Sequence, residues 1–382
     1  MTIKGYDICW RRYALALALM LVCALALPAR AAHEFKSLDE AYEYLRVCTQ
    51  RRDERIVLTL PASAVSAYDD DELRLQLVMA APLLSRLHST HIRTADSLTC
   101  EITPTYRAGV RMSDAWRSGD LSALSESEVR ALQIAVELAI ELKARYDTNL
   151  ELEKAIFDEL CSRLTYVNSA VFASDHDTPI TTATNALLYG EANCQGYSDA
   201  FYLLASLCGI DVGFQNGFDS RGNSHLWNTI CLDGNWYAVD VTAGDSGDSS
   251  TGEPLINYAL FNAGTDACAG SLNWPTYYQS VELAPFSDDN YFFNAGPPNF
   301  GSSFDDIEAL CRYLYDRRAG YGATEVYALL TNCAELDLEE FNATLAHIVE
   351  DVYRHPRATS WRVWSWPQGE DSTCLLLRWN QF

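Results

Sequence analysis

Basic side chains are scarce in this 382-residue sequence, where 28 lysines and arginines stand against 52 aspartates and glutamates, for a formal net charge of −24. Proteins that bind nucleic acid or anionic lipid neutralise phosphate with Lys and Arg, so this balance argues against both kinds of partner. The sequence also lacks a C-x-x-C pair, a Cys/His cluster with zinc spacing and an EF-hand pattern. Beyond residue 31, no run is long and apolar enough to span a bilayer. The sequence therefore favours chemistry that side chains perform without a metal ion.

The N-terminal segment has the features of a secretory signal peptide. Three basic residues (Lys4, Arg11 and Arg12) precede an apolar run from Tyr13 to Leu27, and the small-x-small sequence Ala29-Arg30-Ala31 follows. The run is shorter than the ~20 residues that a membrane span requires. The pattern predicts cleavage after Ala31 and a secreted or cell-surface protein; an uncleaved N-terminal anchor is the alternative.

Ten of the twelve cysteines follow residue 31, so a secreted protein could use them in disulfides. The spacing of these cysteines does not indicate which of them would form disulfides with each other. If Cys194 is a free catalytic thiol, nine cysteines remain and at least one more is unpaired.

The residues from Cys194 to Cys208 have the spacing of an amphipathic helix, with apolar side chains recurring at intervals of three and four. Asn193 is a suitable N-cap, and Gly209 is a suitable end. Cys194 is therefore predicted in the first turn, where free backbone N–H groups and the helix dipole favour a thiolate.

Two β-rich runs, His225 to Leu232 and Asn235 to Thr242, flank Asp233-Gly234, a strong signal for a two-residue hairpin turn. With that turn Leu232 pairs with Asn235, and Asp240 falls opposite Trp227. Asp240 then lies diagonal to His225 on one face of the sheet, at a separation of roughly 7–8 Å or less between Cβ atoms. The spacing therefore predicts that Asp240 reaches the imidazole of His225.

These segments resemble the transglutaminase-like superfamily, in which a Cys at a helix start is followed by H-x-W-N on one strand and D-G-x-W-Y-x-V-D-x-T on the next. The matching stretches are Cys194 to Ala200, His225 to Asn228 and Asp233 to Thr242. The resemblance covers roughly residues 125–295. One departure follows the last motif, where Ala243-Gly244-Asp245 leads into a Ser/Gly/Asp-rich stretch ending at Gly252, so the substrate preference of relatives does not carry over.

The resemblance implies an α+β fold with a papain-like core of N-terminal helices and an antiparallel sheet. It also implies that Cys194 is the nucleophile, His225 the general base and acid, and Asp240 the group that fixes the His225 tautomer. Cys194 would attack a peptide or carboxamide carbonyl and form a thioester, which an amine or water resolves. The superfamily includes crosslinking transferases, peptidases and amidases, and the sequence does not separate them. No cofactor or metal is implied, and the expected partner is a protein or peptide substrate, with cell-wall peptide among the candidates.

Other interpretations of the same residues exist. Taken singly, Cys194 is more typical of a small core side chain, His225 of a core histidine and Asp240 of a strand-end cap. Three ordered motifs together favour catalysis. The alternative for the whole chain is a catalytically idle binding or scaffold protein of the cell surface that has kept a transglutaminase-like core.

The two ends of the chain resemble diverged copies of one small α/β unit, and this similarity motivates the scaffold alternative. Each is predicted as helix, strand, helix, strand. The predicted matches are Ser37–Glu40 with Ser303–Asp306, Arg51–Arg52 with Arg317–Arg318, Asp71–Leu73 with Glu339–Phe341, and Thr99–Cys100 with Thr373–Cys374. The predicted division is therefore a signal peptide at 1–31, an N-terminal unit at 32–110, a catalytic core at 111–295 and a C-terminal unit at 296–382, with a linker at 296–301.

Overall fold

A computed structural model of the chain describes residues 33–168, 178–246, 255–275, 278–285, 291, 302–321, 323, 325–349, 360–368 and 371–379. The predicted signal peptide and the predicted linker at 296–301 lie outside the described residues. The chain divides into two compact units, residues 1–105 and residues 106–382. The predicted division of residues 32–382 into an N-terminal unit, a core and a C-terminal unit stays a prediction. No helix in the described ranges is long and apolar enough to cross a membrane.

The first unit has one four-stranded sheet of order β1-β2-β4-β3, in which β1 runs parallel to β2 and β2 antiparallel to β4. Its elements are β1 (His33–Glu34), α1 (Leu38–Gln50), β2 (Ile56–Pro61), α2 (Ala62–Val65), α3 (Asp70–Ala80), β3 (Leu84–Arg93) and β4 (Ser97–Tyr106). Side-chain caps begin the two longer helices: Ser37 accepts from the Glu40 N–H, and Asp69 with Glu72 forms a capping box.

The second unit begins with helices and continues into an antiparallel sheet of order β10-β7-β8-β9. Its elements up to that sheet's last strand are α4 (Ala108–Ser118), α5 (Glu126–Lys143), α6 (Asn149–Arg163), β5 (Thr165–Tyr166), α7 (Ala183–Tyr189), β6 (Glu191–Ala192), α8 (Cys194–Cys208), β7 (Asp211–Asp219), β8 (Ser224–Leu232), β9 (Asn235–Val239), α9 (Val241–Gly244), α10 (Thr265–Cys268) and β10 (Leu272–Asn273). Helices followed by an antiparallel sheet form an α+β fold, as predicted.

Helix α8 lies in the main core of this unit. Tyr197, Phe201 and Leu204 are fully buried on it, and the helix packs against α4 to α7 and against β7 and β8. A helix that is apolar around most of its circumference needs partners on every side. The core therefore fixes the position of Cys194, the first residue of α8.

The same unit ends in a second four-stranded sheet, here called the C-terminal sheet, of order β11-β12-β14-β13. Its elements are β11 (Ser303–Phe304), α11 (Ile307–Tyr321), β12 (Glu325–Leu330), α12 (Leu338–His347), β13 (Trp361–Gln368) and β14 (Ser372–Trp379). One face, with Leu375 and Leu377, packs on α11 and α12, while Leu329 and Cys374 belong to the main core. Both faces of this sheet are therefore buried.

The C-terminal sheet has the same strand order as the sheet of the first unit. The first two pairings also agree, since β1–β2 and β11–β12 are parallel while β2–β4 and β12–β14 are antiparallel. The predicted element order of each unit omitted its first short strand and one strand of its final hairpin. Duplication itself remains a prediction.

Two of the predicted residue matches between the units are wrong. Ser303 lies in β11, whereas the cap that corresponds to Ser37 is Asp306, whose carboxylate accepts from the Ala309 N–H at 2.8 Å. Ser37 and Ser303 are both followed by acidic residues, a pattern typical of a helix start. This shared pattern explains why the two serines were matched. Cys100 lies on the alternating buried face of β4 and so corresponds to Leu375, because Cys374 faces the opposite way.

Candidate active site

Helix α8 begins where the sequence predicts. The Asn193 side chain accepts hydrogen bonds from the N–H groups of Gln195 (3.0 Å) and Gly196 (3.3 Å), and the helix ends at Gly209 with a left-handed φ of 88°. Cys194 is partly exposed in the first turn. Its thiol is therefore accessible at the positive end of a buried helix.

Gly196 sets how closely the first turn approaches the preceding chain. A Cβ at this position would lie 2.4 Å from the carbonyl oxygen of Ile180 and 2.9 Å from the Cβ of Ala192. Any side chain would push the start of α8 away from both. The glycine of the C-x-G motif is therefore a packing requirement.

The hairpin that carries His225 has the predicted register. Leu232 pairs with Asn235, and Asp233 and Gly234 have φ values of 48° and 89°, as a two-residue turn with both central residues left-handed requires. Strand β9 ends at Val239, one residue before Asp240. The Asp240 N–H instead donates to the carbonyl of Leu260 at 3.0 Å, and its Oδ1 accepts from the Ala243 N–H at 3.1 Å. Asp240 therefore caps α9 while it faces His225.

His225 and Asp240 form a close buried pair, with His225 Nε2 lying 2.7 Å from Asp240 Oδ2. The Asp240 side chain is 2% exposed and that of His225 is 13% exposed. Burial by itself lowers the pKa of His225, but the charge and hydrogen bond of Asp240, followed by those of Cys194, raise this pKa to about 10. Because Asp240 is bonded to Nε2, Nδ1 is the ring nitrogen left for the hydrogen bond between His225 and Cys194.

The rest of the H-x-W-N motif holds strand β8 against helix α8. The Asn228 side-chain amide donates to the carbonyls of Ser198 and Gly213, each at 3.1 Å, and the Ser198 hydroxyl donates back to the Leu226 carbonyl at 2.9 Å. Trp227 is fully buried, with its ring stacked 5.9 Å from that of His225. These contacts set the distance between the strand of His225 and the helix of Cys194.

A buried charged group beside the first turn of α8 was not predicted. Arg107 donates from Nη1 to Gln195 Oε1 at 3.3 Å, and its guanidinium lies 5.3 Å from the centre of the Phe214 ring. Asp199 is fully buried and accepts from the N–H groups of Gly109 (3.0 Å) and Ala183 (2.8 Å). Asp199 thus ties α8 to α4 and α7.

The charges of Asp199 and Cys194 both act on Arg107. Burial lowers the pKa of Arg107 to about 10, while the charges of Asp199 and Cys194 act to raise it. Burial raises the pKa of the Asp199 carboxyl despite its hydrogen bonds and Arg107. Asp199 lies five residues after Cys194 in the predicted helix. A charged residue among the apolar residues of that helix was the sequence signal that could have indicated this buried group.

Two tyrosines border the site. Tyr166 on β5 pairs with Ala192, two residues before Cys194, and its half-exposed ring lies 6.4 Å from that of Tyr197. The Tyr197 hydroxyl donates to Asp245, in the stretch where the sequence departs from the family pattern. Gly244 packs on the Phe157 ring, where a Cβ would lie 2.4 Å from Cζ. The residues that depart from the family pattern, Gly244 and Asp245, are thus packed into the protein. Residues 247–252 lie outside the described part.

None of the ten cysteines of the described ranges forms a disulfide in the structure, and Cys194 is one of three that are partly exposed. The other two are Cys231 and Cys333. Within the described residues, no group of three or more His, Cys, Asp or Glu side chains is placed to hold a metal ion.

Comparisons with known proteins agree with the motif match. The family model of the transglutaminase-like superfamily matches residues 136–241. The human kyphoscoliosis peptidase is 27% identical over 206 residues, which cover 46% of this chain and 31% of that protein. The chain therefore spans about a third of the length of this curated relative.

Two solved structures are similar at lower identity. A TGase crystal structure has 16% identity and a TM-score of 0.28, covering 51% of this chain and 53% of the other. The periplasmic domain of TgpA from Pseudomonas aeruginosa, bound to ethylmercury, has 19% identity and a TM-score of 0.24, covering 38% and 56%.

The fold is α+β, and its second unit contains a Cys-His-Asp arrangement at a helix start and a hairpin. Residues 136–241, which include Cys194, His225 and Asp240, match the model of the family that the motifs predicted.

Proposed function

We propose that this protein is a cysteine enzyme that acts on peptide or carboxamide bonds through a thioester intermediate. The observation that carries the proposal is the placement of His225, which is hydrogen-bonded to Asp240 at 2.7 Å and also interacts with the Cys194 side chain. A nucleophile, a base and a group that orients the base are the parts required for acyl transfer.

In the proposed reaction the Cys194 thiolate attacks the carbonyl carbon, and the oxygen takes the negative charge. Its own backbone N–H, at the start of α8, is a suitable donor to that oxygen. The C–N bond then breaks, the His225 imidazolium protonates the leaving nitrogen, and a thioester remains. Neutral His225 next removes a proton from an amine or water, which attacks the thioester and regenerates the thiolate.

The substrate is proposed to be a protein or peptide. The chain's acidity argues against nucleic acid as a partner. An amine acceptor makes the enzyme a transferase, and water makes it a peptidase or amidase. Assays on amide, peptide and cell-wall stem-peptide substrates, each with and without a primary amine, distinguish these reactions.

Alkylation by iodoacetamide tests the activated nucleophile. At pH 6 the modification of Cys194 is expected to be at least about tenfold faster than that of Cys333, because an imidazolium favours the thiolate while an ordinary thiol is almost wholly protonated. Cys333 is the internal control, since it is also partly exposed. Rates are measured by peptide mass spectrometry with reductant present. Equal rates at the two thiols would show that Cys194 is not activated.

We also propose export, with cleavage after Ala31. The motivation is the basic start, the apolar run and the Ala29-Arg30-Ala31 site. Protein recovered from the extracellular or periplasmic fraction of its host is expected to begin at Ala32, as N-terminal sequencing and intact mass would record. Protein in that fraction, or in the membrane, that retains Met1 would contradict cleavage.

A further inference from the structure

Residues 255–263, all buried except the partly exposed Ile256, lie against the Asp240 end of the hairpin and are here called the bracing segment. Its Leu260 carbonyl accepts the Asp240 N–H at 3.0 Å, and Ala263 exchanges two backbone hydrogen bonds of 2.8 Å with Ala238. Strand β8 no longer pairs with the chain at Asp240, because the β9 ladder ends at Val239. The position of the Asp240 backbone therefore depends on the bracing segment.

The C-terminal sheet holds this segment from its other side. Gln368, the last residue of β13, is buried and donates from Nε2 to the Ala259 carbonyl at 2.8 Å. The ring of Tyr327 on β12 meets that of Tyr258 edge-on at 5.0 Å. The Ala259 carbonyl that Gln368 holds is next to the Leu260 carbonyl that holds Asp240.

Helix α6 fixes the same segment at a second place. The Tyr258 hydroxyl donates to Asp158 Oδ1 at 2.6 Å and accepts from Lys154 Nζ at 3.0 Å, and the Asn262 amide donates to buried Glu153 at 2.9 Å. Because Tyr258 and Asn262 are tied to α6 on either side of Ala259, a loss at Gln368 frees the part between them. Its effect is thus expected to be local.

We propose that Gln368 is a positioning residue of the active site, and that the C-terminal sheet acts through it to hold the Asp240 carboxylate in line with His225. This inference rests on the proposed function. It gives the C-terminal sheet a task inside the enzyme, whereas the similarity between the chain's ends motivated only the scaffold alternative. A carboxylate that orients an imidazole must be held within about 0.5 Å, and such precision comes from buried support behind it.

Replacing Gln368 by Met tests the inference, because Met keeps the volume and removes the donor. The kcat for acyl transfer is expected to fall about 10- to 100-fold with KM nearly unchanged, as a small misplacement of a catalytic group would cause. The pKa of His225, measured by NMR, is expected to fall because Asp240 no longer faces it squarely. Gln368→Asn keeps the amide but is one methylene shorter, so it is expected to lower kcat and the pKa of His225 in the same way. It takes the place of the Met variant if that variant does not fold.

Thr331→Val is the matched control. It removes a 3.0 Å hydrogen bond from Thr331 Oγ1 to the Phe304 carbonyl within the C-terminal sheet and leaves the bracing segment untouched. Its kcat and its His225 titration are expected to match the wild type, whatever its melting temperature. A fall in both variants would show that Gln368 acts only through general stability.

The two proposals fail in different ways. If Cys194 of the wild type is not alkylated faster than Cys333, the proposed function is wrong, irrespective of Gln368. If Cys194 is activated but His225 titrates identically in wild type, Gln368→Met and Gln368→Asn, the positioning role is wrong and the proposed function stands.

Discussion

Cys194→Ser is expected to lower acyl transfer by on the order of 10⁴-fold or more while leaving the fold intact, as removal of a triad nucleophile does elsewhere. A serine hydroxyl is far less acidic than a thiol, so His225 cannot convert it to a lasting anion. The replacement changes one atom at a partly exposed position in the first turn of α8, where the Asn193 cap is unaffected. Single-turnover assays with a peptide amide, together with melting temperature, measure both effects.

Cys333→Ser is the matched control for this experiment, because it makes the same change at another partly exposed thiol. It is expected to keep wild-type activity. Turnover that survives Cys194→Ser at more than a few per cent of the wild-type rate would exclude Cys194 as the nucleophile.

Asp240→Asn is expected to cost on the order of 10⁴-fold in kcat, by analogy with the carboxylate of the serine triad. The asparagine Oδ1 can keep the hydrogen bond from the Ala243 N–H, which turns its NH₂ toward His225 Nε2. Nε2 must then accept, so the ring proton moves to Nδ1, and His225 can no longer take a proton there from Cys194. Asp233→Asn is the control, since it makes the same change in the hairpin turn, where Asn tolerates a positive φ.

The same substitution should also change how stability depends on pH. Because the folded pKa of His225 is raised to about 10 from 6.5, the pair stabilises the fold fully below pH 6.5 and loses that contribution as pH rises through 10. The stability gap between wild type and Asp240→Asn is therefore expected to shrink between pH 7 and pH 10. Urea unfolding across this range measures it. A gap that does not change with pH, or an activity loss below tenfold, would contradict the imidazolium–carboxylate pair.

Local signals predicted most of the candidate site. Asn193 and Gly209 bound α8 because each satisfies backbone groups of its own helix end. Asp233-Gly234 fixed the register of β8 and β9, since that turn leaves no freedom in the pairing. This register brings Val239 opposite Asn228, and beyond it the Leu260 carbonyl holds the Asp240 backbone. The predicted proximity of Asp240 to His225 is confirmed by their hydrogen bond.

Contacts between distant parts of the chain were outside the reach of such signals. Arg107 meets Gln195 across 88 positions, and Gln368 meets Ala259 across 109. Neither the hydrophobic periodicity of an element nor a helix-capping residue indicates that these residues are in contact. The burial of both faces of the C-terminal sheet had a weak signal in Cys374 to Leu377, because a continuous apolar run is typical of a strand covered on two sides.

The Asn228 amide has a consequence for how such a site can diversify. By bonding to main-chain carbonyls of both α8 and β7, it holds the catalytic parts to each other through groups that every amino acid possesses. These two hydrogen bonds themselves use no side chain of Ser198 or Gly213. Side chains elsewhere on the two elements can therefore change while Asn228 keeps strand β8 and helix α8 at a fixed separation.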